Sequence, residues 1–111
     1  MALQITGNVE TPQGITVTNP FIFLNINLFD NADAAQLRWY ASQQAWKDGK
    51  NPIEPVGMPL QVDMKIPNQV FWGNGQGNQK GLANAIHNTV KTELVKIFGG
   101  NNVDIIQDPN I

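Results

Sequence analysis

"FIFLNINLF", residues 21–29, decides the fold. Its alternation puts Ile22, Leu24, Ile26 and Leu28 on one face of a strand, and Phe21, Phe23, Asn25 and Asn27 on the other. The aliphatic face is core. The opposite face is half aromatic and half amide, so it is either a second buried layer or a surface that another subunit covers; the phenylalanines read as core.

Upstream, Asn19-Pro20 breaks the ladder, because a proline has no amide hydrogen to donate. Before it, Leu3 to Val9 and the pair Ile15 and Val17 flank Thr11-Pro12-Gln13-Gly14. Proline second and glycine fourth suit a type I turn, so the two flanks read as a hairpin.

Downstream, Asp30 to Asp33 reads as a polar turn. Leu37, Trp39 and Ala41 then alternate with Arg38, Tyr40 and Ser42 as the next strand, which Ser42 ends. The Ser42 hydroxyl is placed to cap a short helical turn over Gln43 to Asp48, stopped by Gly49 and Pro52. Pro52, Pro55 and Pro59 keep Asn51 to Met58 extended and irregular. Leu60, Val62, Met64 and Ile66 form the inward face of another strand, with Gln61, Asp63 and Lys65 outward.

A helix follows from Gln79 to Phe98. Its apolar stripe is Leu82, Ala83, Ile86, Val90, Leu94 and Ile97, with Asn84, Asn88, Lys91 and Lys96 turned away. Gly99-Gly100 supplies the left-handed residue that ends it. Val103 to Ile106 reads as a last edge strand, and residues 107–111 as a flexible tail. The expected fold class is α+β: an antiparallel β-sheet or small sandwich of about five to six strands, with one C-terminal amphipathic helix packed on it.

The chain's 111 residues suit a single domain spanning 1–111, with no internal repeat and no linker. Charged residues make up 14%, low against a typical quarter or so. Amides fill the gap: fourteen Asn and ten Gln. Such a polar surface carries little charge and suits close neutral packing against a partner.

Arg38 and six lysines are dispersed in a chain of net charge -2, which disfavours nucleic acid binding. The absence of cysteine removes disulfides, thiolate metal sites and thiol nucleophiles. No apolar run approaches the length of a bilayer span, and the first ten residues lack the pattern of a secretory signal, so the expectation is a soluble, unexported chain without a membrane partner.

"FWGNGQGNQKG", residues 71–81, sits before the helix as a phosphate loop would. A P-loop needs Ser or Thr after its lysine, and Lys80 is followed by Gly81; the dinucleotide fingerprint needs its third glycine one residue later than Gly77. The stretch therefore reads as a pliable joint with Asn78 as a cap, and no cofactor is expected. His87 is the sole histidine, at the margin of the apolar stripe, without the partners that a base or metal ligand needs. It reads as a packing residue, and His87→Ala is expected to affect stability alone. "FDNAD" lacks the ordered acids of a calcium loop and reads as a solvated turn, so no metal is expected.

Trp39, Tyr40, Trp46, Phe71 and Trp72 fill a core, line an interface, or form a platform for sugar rings. Core ranks first for Trp39 and interface for Trp46 and Trp72. The interface set is Trp46, Trp72, Gly73, Gly75, Gly77 and Lys80. A catalytic site ranks last, since only Glu54, Asp63 and Lys65 stand in its favour.

Strands, then "RWYASQQAWKDGKNPI" at residues 38–53, then a clean strand and a late helix ended by glycines make up the composite order. It resembles the small virion structural proteins of tailed bacteriophages that form rings or adaptors around the neck and tail. The resemblance rests on Tyr40-Ala41-Ser42, Ala45, Gly49-Lys50 and Pro52, under a fifth of the chain. It implies a non-enzymatic subunit that pairs with copies of itself and with other virion proteins, located in the virion and in host cytoplasm during assembly. The glycine stretch or the tails would order on assembly. The alternative is a small carbohydrate-binding module with a glycan ligand.

Overall fold

The computed structural model describes residues 2–27, 33–64 and 79–106. Five strands form an antiparallel sheet in the order β6-β5-β4-β1-β7: β1 is Ala2–Ile5, β4 Phe21–Asn27, β5 Asp33–Tyr40, β6 Gln61–Met64 and β7 Val103–Ile106. β2 (Asn8–Glu10) and β3 (Thr16–Thr18) make a separate two-stranded ribbon. Two helices complete the described chain, α1 (Gln43–Lys47) and α2 (Gln79–Phe98). The class is α+β, as expected: a five-stranded antiparallel sheet with α2 packed on it, and a two-stranded ribbon that brings the described strands to seven.

The hairpin expected upstream of Pro20 is present, but its first arm is divided. Thr11 to Ile15 closes the ribbon: Gly14 N–H donates to the Thr11 carbonyl and Thr11 N–H to that of Ile15, each at 2.9 Å. Gly14 takes φ 81, the left-handed residue that follows a type I turn in a three-residue hairpin loop. Farther down, Leu3 to Val9 breaks at Thr6-Gly7. β1 pairs with β4 and β7 rather than with β3.

Asn19 holds that break. It lies at φ 53, its N–H donates to the Gly7 carbonyl at 2.7 Å, and its Oδ1 accepts from Gly7 N–H at 3.0 Å. Gln4 Nε2 donates to the Asn19 carbonyl at 2.9 Å, fastening the kink to β1. The kink lets the ribbon leave the sheet while Val9 joins the buried cluster of Leu3, Ile22 and Trp39.

β4 carries the two faces its sequence announced. Ile22 lies opposite both Leu3 on β1 and Trp39 on β5, and Leu24 opposite Leu37. Ile5 and Val103, then Ala35 and Val62, extend the same apolar face to both edges. Against it α2 lays Ile86, Val90 and Leu94, three residues spaced four apart that are completely or almost completely buried. Each such aliphatic side chain contributes about 1.5–3 kcal/mol by leaving water.

Among the described residues, Trp39 is the largest fully buried side chain. Its indole Nε1 donates to the Pro59 carbonyl at 2.9 Å, and its ring tilts against Phe98 with centroids 6.3 Å apart. Ile53 N–H donates to the Trp39 carbonyl at 2.7 Å, so residues 53–61 leave the β5 edge and return to it.

The helix bounds and its glycine stop are as read from the sequence. Gly99 takes φ 95 and its N–H donates to the Val95 carbonyl at 2.8 Å. Two expected core residues are corrected: Ile97 is 47% and Leu60 49% exposed. The buried row continues from Leu94 to Phe98, which packs beside Gly7, so Ile97 turns outward. Leu60 lies at the β6 edge, whereas α2 packs most closely over β7 and β1 at the opposite side. Asp33, expected in a turn, is the first residue of β5, and that strand ends at Tyr40, two residues before Ser42. Val103–Ile106 is an edge strand as expected. The residues 107–111 read as a tail, Leu28 and Phe29 of the strand, and Lys65 and Ile66 lie outside the described residues.

Candidate functional site

The sheet's second face is the surface that its own helix α2 leaves open. β4 contributes Phe21, Phe23 and Asn25 to it; β5 adds Tyr40 opposite Phe21, Arg38 opposite Phe23 and Gln36 opposite Asn25. β1 and β7 add Ala2, opposite Ile106, and Gln4, opposite Asp104.

One end of this face is closed by α1. Ser42, in extended backbone, accepts the Ala45 N–H on its hydroxyl at 3.0 Å and starts the helix, as its sequence position suggested. Gly49 at φ 71 follows its last turn. The five-residue helix thereby sets Trp46 on the sheet, 5.2 Å from the Phe23 ring in a stack and 5.6 Å from the tilted Phe21 ring. Phe21 is completely buried and Tyr40 nearly so. These aromatics, with Ala2, form a small second cluster on the outer side of the sheet.

Beyond Phe23 the face turns polar. Asn25 Nδ2 donates to Gln36 Oε1 across the strands at 3.4 Å, and Arg38 is exposed beside them. Gln61 on β6, opposite Gln36, is also exposed. The result is a strip of amides with the chain's single guanidinium, bordered by a half-buried tryptophan. Such a surface offers paired donors and acceptors at little desolvation cost, the chemistry of a neutral interface.

A concavity of about 730 Å³ lies between the Gly57–Pro59 turn, β6 and the outward side of α2. Met58, Val62 and Ile97 give it an apolar floor, and Glu93 and Lys96 form its rim. Lys96 Nζ meets Glu93 Oε1 at 3.2 Å, an exposed pair that adds little to stability. A depression of about 320 Å³ beside the β5 edge places Glu54 near Arg38. Among the described residues, no group of three or more His, Asp or Glu side chains is arranged to hold a metal ion. Among them, too, no helix is long and apolar enough to cross a membrane.

The residues singled out from the sequence fall in different places. Trp46 belongs to the outer cluster, stacked on its own chain. Trp39 is core, as its leading assignment had it, and Tyr40 is almost fully covered, so neither presents a ring to a sugar. Lys80 lies in the first turn of α2. Phe71, Trp72, Gly73, Gly75 and Gly77 lie outside the described residues, as do Asp30 and Lys65. His87 is 4% exposed on the inner side of α2, a packed position.

Sequence reasoning did not single out Asn25, Gln36 and Arg38 as one surface. The signal was available in the phase of β5: Gln36, Arg38 and Tyr40 alternate with Leu37 and Trp39, and pairing with β4 sets them beside Asn25 and Phe23. Compared with protein-family models, curated proteins and solved structures, the chain matches none.

Proposed function

We propose that the protein is a non-enzymatic structural subunit of a phage virion, assembling as a ring or adaptor of the neck or tail region through protein–protein contacts. The observation that supports this reading is the outer sheet face. An antiparallel sheet tolerates one solvated face, and the β4–β5 centre of this one carries aromatics, an amide pair and Arg38, with the charged Asp104 at the β7 edge. Depletion of charge with enrichment of aromatics and arginine is the composition of an interface core. The same patch repeated against a different patch of the next copy closes into a ring when the rotation closes. Its partners are copies of itself and other virion proteins, with Trp46 at the border of the contact.

Light scattering of the purified protein over a wide concentration range tests this. The expected result is a set of discrete oligomers that grows with concentration, and that Gln36→Glu with Arg38→Glu shifts back to monomer while circular dichroism stays unchanged. A strict monomer whose Trp46 fluorescence is quenched by a soluble glycan overturns the reading in favour of a carbohydrate-binding module.

A further inference from the structure

We draw no further inference here: the strongest candidate, the groove between the Gly57–Pro59 turn, β6 and the outward side of α2 with its Met58, Val62 and Ile97 floor, is an apolar surface for which nothing in the structure shows what covers it.

Discussion

Replacing Asn19 separates the two forces that hold the kink between sheet and ribbon. Its backbone at φ 53 is left-handed, a conformation that costs most L-residues about 1–2 kcal/mol and asparagine less. Its Oδ1 accepts the Gly7 N–H at 3.0 Å in an exposed setting, a bond with a net contribution of about 0.5–1 kcal/mol. Asn19→Ala loses the acceptor and takes on the full backbone strain, for a loss of about 2 kcal/mol. Asn19→Gly loses the acceptor and adds freedom to the unfolded chain, but relaxes the backbone, for a loss of about 1 kcal/mol. Asn19→Asp keeps an acceptor and stays within about 0.5 kcal/mol of the parent.

The assay is urea unfolding followed by far-ultraviolet circular dichroism. With a slope of about 2 kcal/mol per molar urea, the alanine variant unfolds about 1 M earlier and the glycine variant about half that. The informative quantity is the gap between those two, because both lack the side-chain acceptor. Equal midpoints for alanine and glycine would show that left-handed backbone at residue 19 does not hold the kink.

Trp39→Phe removes the donor to the Pro59 carbonyl and part of the largest buried side chain, so a loss of about 2–3 kcal/mol is expected in the same unfolding assay; a loss under half of that would refute the bond's role. Leu94→Ala should cost about 2–5 kcal/mol, while Ile97→Ala three residues on should stay within about 0.5 kcal/mol, the reverse of equal membership in one stripe. Ser42→Ala should cost about 1 kcal/mol and weaken the near-ultraviolet dichroism of Trp46, whose helix the hydroxyl caps; an unchanged spectrum would separate the cap from the placement of that ring.

Local features were legible because local chemistry makes them. The Ser42 cap, the type I turn before Ile15, the α2 bounds and the left-handed Gly99 each follow from residues within a few positions of one another. The two faces of β4 were legible through period-two alternation. What the sequence withheld depends on distant partners. Ile97 fits a helical wheel as well as Phe98 does, and only the approach of Gly7 from another element selects Phe98. Leu60 alternates correctly with Val62, but the position of α2 over the far side of the sheet leaves it uncovered. The break at Gly7 depends on a left-handed Asn19 twelve residues later, a state that asparagine adopts in some contexts only. The amide strip needed the register of β4 against β5 before Asn25, Gln36 and Arg38 became one surface.

The place of β1 inside the sheet has a kinetic meaning. One neighbour, β4, is reached through a ribbon of modest length, and the β4–β5 pair is formed by strands adjacent in sequence. The other neighbour joins Ala2 to Ile106 and Ile5 to Val103, almost the whole chain apart. Bringing together strands so far apart in the chain carries a loop-closure cost that the pairing of sequence neighbours does not. The expected order is therefore β4 with β5 first, β1 next, and β7 last, with the overall rate limited by the late zipping of distant strands. Until β7 docks, the backbone groups of β1 that it pairs are an open edge, and an adjacent copy of the chain competes for them. Refolding yield should consequently fall with protein concentration more steeply than native stability alone would suggest.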